Sequence, residues 1–182
     1  VVVEELNMYE DLPMRKVNDL FMELLYGDQP AGWDIGGTKE VVRSLTKDQI
    51  TLYRTAHYVP QATVVVVAGA FDETDIIQKI EAAFGAIPTG IKSGKAAVTE
   101  AQTAPQVFMK KKAVDQTHIM LGCRAFSAFD DRRFALEVLS DILGGGMSSR
   151  LFQKVREELG AAYTVRAGTD LFTDHGFLAV NA

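Results

Sequence analysis

The stretch Ile142–Val165, I-L-G-G-G-M-S-S-R-L-F-Q-K-V-R-E-E-L-G-A-A-Y-T-V, limits the fold more than any other part of the chain. Ahead of it, Phe134, Val138 and Ile142 recur every four residues with Leu139 and Leu143 beside them, which is the apolar stripe of an amphipathic helix. The run Gly144–Gly146 must stop that helix, because glycine tolerates positive φ and close backbone approach. Ser148 or Ser149 can cap a second helix, whose Leu151, Phe152 and Val155 face inward with Leu159 near its end. Gly160 ends this helix, and Tyr163-Thr164-Val165 starts a strand. Two polar residues stand out, Arg156 on the second helix and Tyr163 just past its stop. Spacing alone reads them as a solvated arginine and a half-buried tyrosine, or as two donors delivered into one cleft.

The rest of the chain must supply partners for this helix–turn–helix–strand. Val17, Leu20, Phe21, Leu24 and Leu25 form a broad apolar helical face before Gly27, and Pro13 divides the segment into Val1–Asp11 and Pro13–Tyr26. Trp33, the single tryptophan, sits in the loop D-Q-P-A-G-W-D-I-G-G, as a plug over the core or as the wall of a binding site. Thr38 caps a short helix over Lys39–Ser44, and Thr46 with Gln49 makes a capping box for Lys47–His57. T-V-V-V-V-A at Thr63–Ala68 reads as a strand buried on both faces. Asp72 caps a helix over Glu73–Phe84. A small, polar, aperiodic stretch from Thr89 to Pro105 contains the linker, drawn at 91–105, which separates residues 1–90 from 106–182. Beyond it, Gln106–Ala113 and Gln116–Phe126 read as strands, Arg132–Leu143 as a helix, and Tyr163–Leu171 with Gly176–Asn181 as a hairpin. The run Lys110-Lys111-Lys112 reads as a solubilised strand edge or turn. The expected fold class is α+β: two partial αβ sandwich units, each a mostly antiparallel sheet with helices on one face.

Composition narrows the function. The net charge is −5, with 7 basic and 14 acidic residues in 1–90 and 12 and 10 in 91–182, so neither half has the basic surface of a nucleic-acid binder. The single cysteine, Cys123, excludes a disulfide framework and a cysteine-based metal site, and its apolar surroundings read as core. No apolar run is long enough for a membrane span. The chain opens on V-V-V-E-E-L without methionine and closes in the strand-like G-F-L-A-V-N-A, so it reads as a fragment whose compartment cannot be assigned.

With these residues in view, L-G-G-G-M-S-S-R-L-F-Q-K-V-R-E-E-L-G-A-A-Y resembles the second-half motif of the pitrilysin/insulinase family of zinc metallopeptidases. The chain is similar in particular to bacterial members resembling mitochondrial processing peptidase. V-V-V-E-E-L-N-M-Y-E-D-L-P resembles the family stretch carrying the third zinc ligand, a glutamate that follows an inverted H-x-x-E-H motif. The resemblance puts that ligand on Glu5, with Glu4 its neighbour, and gives Arg156 and Tyr163 substrate binding and stabilisation of the reacting carbonyl. The first half then corresponds to the latter part of one αβ domain, and residues 106–182 to the early part of the next.

The chain departs from the family pattern at its centre. It contains no H-x-x-E-H, and its histidines, His57, His118 and His175, lack ligand spacing and read as structural or exposed. The resemblance therefore implies a fragment of a zinc-dependent endopeptidase cleaving peptides or unfolded segments, with zinc in the intact parent and none expected on the fragment. It implies that the fragment is inactive alone. The implied partners are a peptide substrate, the rest of the parent chain, and a second copy or family partner subunit. The alternative is a non-catalytic partner or structural subunit.

Overall fold

Pro13 starts a helix that Gly27 stops, and the protein is built around that helix. In the computed structural model, which describes all residues Val1–Ala182, α1 spans Val2–Glu10 and α2 spans Pro13–Tyr26. Proline suits the first helical position because the amide it lacks has no helical partner there. Gly27 closes α2 at φ +70°, a conformation that glycine adopts without Cβ strain. Two compact units follow, one of Val1–Val42 with Ala96–Ala182 and one of Arg43–Lys95.

The first unit holds a three-stranded antiparallel sheet of β1 (Met120–Ala125), β2 (Arg166–Leu171) and β3 (Gly176–Asn181), in the order β1-β3-β2. Gly122 pairs with Ala179, which pairs in turn with Gly168, so these residues share one face; Leu121, Val180 and Ala167 share the other. α2 covers the first face. Its Phe21, Leu25 and Tyr26 are buried with Phe177 and Ala179, and Phe21 meets Phe177 edge-on at 5.4 Å between ring centroids. A Cβ on Gly122 would lie 2.6 Å from the Phe21 ring, so glycine there lets the helix approach. Arg124 joins the end of α2 to the sheet. Its Nε and Nη2 donate to the Leu25 carbonyl at 3.1 and 2.6 Å, and its Nη1 to Glu100 Oε2 at 2.9 Å. A cation at a helix C-terminus also complements the helix dipole. Burial pushes the Tyr26 phenol up to about 12, and its hydroxyl donates to the Gly176 carbonyl at 3.3 Å.

α6 (Arg133–Gly144) packs on the opposite face, against β2. It does so through buried Ser140 and Gly144, not through the apolar stripe read from the sequence. Phe134, Val138, Leu139 and Ile142 are exposed, Phe134 at 58%. The contact decides this: a Cβ on Gly144 would stand 2.2 Å from the Ala167 amide nitrogen, so the small residue forms the seam. None of Gly144–Gly146 has positive φ, so the run makes no left-handed turn, and the close approach to β2 rests on Gly144. Cys123 is exposed and not in the core, because it lies on the β1 face that α6 leaves open, as does Leu121, 72% exposed.

After Gly146 the chain enters a π-helical turn, Phe152–Glu158, in which the Leu159 amide reaches back five residues to the Lys154 carbonyl at 3.1 Å. Gly160 ends it at φ +59°. Ser149 is buried and its hydroxyl makes no hydrogen bond, so it does not act as the expected side-chain cap.

The second unit is helical. A short α3 (Lys39–Ser44) leads into it, followed by α4 (Lys47–His57), a 3₁₀ turn at Pro60–Ala62 and α5 (Glu73–Phe84). The Thr46–Gln49 capping box and the Asp72 cap form as the sequence indicates. Thr63–Ala68 is neither a paired strand nor buried: Val64 and Val66 are largely exposed, because no strand of the chain lies beside this run to complete a ladder. Gln106–Ala113 also forms no strand, for the same reason. The α+β class and the antiparallel sheet agree with the sequence reading. No helix is long and apolar enough to cross a membrane.

Candidate functional site

α1 brings Glu4 and Glu5 into its first turn, where acidic groups suit the positive end of the helix dipole. Glu4 accepts from the Asn7 side chain at 3.4 Å. Glu5 is exposed and accepts a short hydrogen bond, 2.5 Å, from the hydroxyl of Tyr9 one turn on. That bond to a carboxylate, first among the causes, raises the Tyr9 pKa. The guanidinium of Arg15, from α2, lies 3.4 Å from the Tyr9 ring centroid. Glu5 thus belongs to a three-residue stack, Glu5–Tyr9–Arg15, that the sequence reading did not contain.

The same elements wall a recess of about 1080 Å³. α2 is two-faced. While Phe21 and Leu25 meet the sheet, the row Lys16, Asp19, Leu20, Glu23 and Leu24 lines the recess. Burial, helped by the nearby Asp34, raises the Asp19 pKa. Trp33 is a wall of this space and not a plug over the core: it is more than half exposed, and its indole N–H donates to Asp28 Oδ1 at 2.8 Å. The sequence carries only a trace of the recess, the acidic residues Asp19 and Glu23 four apart on α2, which does not reveal that a recess forms there.

Arg156 and Tyr163, seven residues apart, do meet. The Arg156 guanidinium lies 4.7 Å from the Tyr163 ring centroid and 4.8 Å from that of Phe152. Its Nε is 3.7 Å from Glu157. The π-helical turn carries Arg156, and Gly160 turns the chain back so that Tyr163 returns beside it. Tyr163 is 81% exposed, so one face of the pair is open to a ligand. Glu5 shares no hydrogen bond or ion pair with either residue.

No group of three or more His, Cys, Asp or Glu side chains stands where it could hold a metal ion. A catalytic zinc takes three protein ligands and keeps one open position, so the residues present do not fit a zinc site among themselves. Two of the three histidines make other contacts. His175 is buried, stacked on Phe172 at 4.5 Å, with Nδ1 2.8 Å from Asp174 Oδ1. His57 packs on Tyr53 at 4.2 Å.

Comparison with known proteins gives a consistent set. A family profile described as the peptidase M16 inactive domain matches residues 44–182. An uncharacterised zinc protease of Mycobacterium leprae is 37% identical over 185 residues, covering all of this chain and 42% of the relative. One from Streptomyces coelicolor is 38% identical, covering all of this chain and 41% of the relative. One from Bacillus subtilis is 36% identical, with 99% and 43% covered. The chain thus spans about two-fifths of the length of the curated relatives it matches. Among solved structures, a peptidase M16 inactive domain from Pseudomonas fluorescens superposes with a TM-score of 0.81 at 22% identity, covering 99% of this chain and 44% of that one. A chain of complex III from Candida albicans superposes with a TM-score of 0.86 at 19% identity, covering 100% and 45%. Both establish a likeness of fold.

Proposed function

Because the chain belongs to the peptidase M16 family, we propose that it forms the substrate-gripping part of a zinc-dependent metalloendopeptidase acting on peptides or unfolded segments. The Arg156–Tyr163 pair carries this reading. A guanidinium and a phenol side by side, with the phenol open to solvent, offer several donors and a flat apolar face to an extended peptide backbone. Donors fixed in place before the substrate arrives are what a developing oxyanion needs. Arg156 and Tyr163 bind the peptide and stabilise its reacting carbonyl. Glu5, oriented by Tyr9, is one carboxylate of a zinc ligand set that residues of the longer protein complete. That zinc would activate a water toward the carbonyl. The division at 91–105, between the end of one αβ domain and the start of the next, belongs to the same proposal, as do the remainder of the parent protein, a second copy or a family partner subunit as assembly partners.

Binding of a fluorescein-labelled unfolded peptide separates the gripping role from chemistry. Arg156→Ala and Tyr163→Ala are each expected to weaken binding by this chain about tenfold, equivalent to about 1.4 kcal/mol; unchanged affinity in both would remove the role. In the full-length protein, Glu5→Gln is expected to lower zinc content and peptide cleavage together.

The second reading, a non-catalytic or structural subunit of the same family, is favoured by the inactive-domain profile over 44–182 and by the lack of a complete ligand cluster. A full-length protein that binds peptide but neither retains zinc nor cleaves would decide for it.

A further inference from the structure

Residues 106–112 form an extended segment that belongs to no sheet. Its one backbone hydrogen bond is local, from the Val114 amide to the Lys112 carbonyl at 3.1 Å. It nevertheless keeps the period-two habit of a strand. The even positions face inward: Gln106 and Phe108 line the recess, while Lys110 and Lys112 reach the end of α1. The odd positions Val107 and Met109 point to solvent, 89% and 86% exposed.

What holds the segment is charge. Lys110 Nζ pairs with Glu10 Oε1. Lys112 Nζ donates to the Glu10 carbonyl at 2.8 Å and pairs with Asp11 Oδ1 at 2.9 Å. Lys16 pairs with the other Glu10 oxygen at 3.0 Å, which fixes that carboxylate for Lys110. No residue from 106 to 114 is buried, so no apolar anchor backs the ion pairs. Pairs this exposed are individually weak and are screened by salt. No residue of 106–112 belongs to the α2–sheet core, so releasing these pairs breaks none of its contacts.

We propose that residues 106–112 are a latched strap, a movable wall of the acid-lined recess that Lys110 and Lys112 hold closed against Glu10 and Asp11. Releasing the latch opens the recess on the side where Tyr9 lines it beside Glu5. The strap acts whether or not Glu5 serves a metal, so it stands apart from the peptidase reading.

Chymotrypsin cleavage after Phe108 in the intact chain reads the latch. Raising NaCl from about 0.05 to about 0.5 M, which shortens the screening length from about 14 to about 4 Å, is expected to speed the nick about threefold or more. The Lys110→Met/Lys112→Met double variant should be nicked at low salt as fast as the wild type is at high salt. Lys111→Met, which removes the same charge without an ion pair to α1, should behave as wild type. Acrylamide quenching of Trp33, the only tryptophan, should rise in the double variant and not in Lys111→Met, because it reports the recess itself. Glu10→Gln attacks the latch from α1, so its effect and that of Lys110→Met should overlap rather than add. The proposal is overturned if the double variant is nicked at the wild-type rate in low salt, or if Lys111→Met accelerates cleavage equally. Far-UV circular dichroism and denaturation midpoints confirm that each variant remains folded.

Discussion

α2 and α6 carry the same signature in the sequence and meet opposite fates. Each shows an apolar stripe at helical spacing. α2 buries Phe21 and Leu25 of its stripe against Gly122, Phe177 and Ala179, and the Arg124 guanidinium closes its end. α6 turns its stripe outward and packs through Ser140 and Gly144. Periodicity says that a helix has an apolar face; it does not say that the face is the one in contact. The seam is chosen by closeness of approach. A glycine or serine row brings backbones together and gains dispersion contacts along its whole length, whereas Phe134 and Val138 would hold α6 away from β2.

Three perturbations test this contrast. Phe21→Ala should lower stability the most, by about 3 kcal/mol in chemical denaturation, since it removes a large buried ring and leaves a cavity against Phe177. Gly144→Ala comes next. Its new methyl would lie 2.2 Å from the Ala167 amide nitrogen, and forcing the seam apart should cost about 2 kcal/mol. Phe134→Ser, on the exposed stripe, should change stability by less than about 0.5 kcal/mol. A loss from Phe134→Ser equal to that from Phe21→Ala would mean that the stripe is covered in solution and would break the comparison.

The smallest effect should come from pH at the strap. Pairing with Lys110, then with Lys16, holds the Glu10 carboxyl at about 2, below its ordinary 4.5. A carboxylate whose folded pKa is depressed stabilises the folded state fully above its unfolded value and loses that contribution as pH falls toward the folded one. The latch should therefore hold above about pH 4.5 and weaken steadily below it. Cleavage at Phe108, measured with an acid-active protease between about pH 5 and pH 3, should accelerate on acidification in the wild type and change little in Glu10→Gln.

How much could be read without the tertiary structure depended on how local each cause was. The capping box at Thr46–Gln49, the Asp72 cap, the Gly27 and Gly160 stops and the hairpin of β2 and β3 rest on interactions within a few residues, and the sequence displays them. The two valine- and lysine-bearing runs, Thr63–Ala68 and Gln106–Ala113, have strand composition but not strand pairing, because a ladder requires a neighbour that propensity cannot supply. Of the candidate site, the seven-residue spacing of Arg156 and Tyr163 was legible, but it left open whether they meet; the π-helical turn and the Gly160 reversal bring them together. Tyr9, Arg15 and the acid-lined recess were not legible, because they depend on α1, α2, the Trp33 loop and the strap converging from positions up to a hundred residues apart.

The amino-acid sequence by itself determined where helices begin and end and that the fold is mixed α and β, because each of these follows from local geometry. Only the tertiary structure decided which helix faces are buried, that Gly144 makes a close contact while its run makes no left-handed turn, and that Lys110 and Lys112 pair with the end of α1. Those outcomes are set by which surfaces can approach most closely and which charges come to face one another.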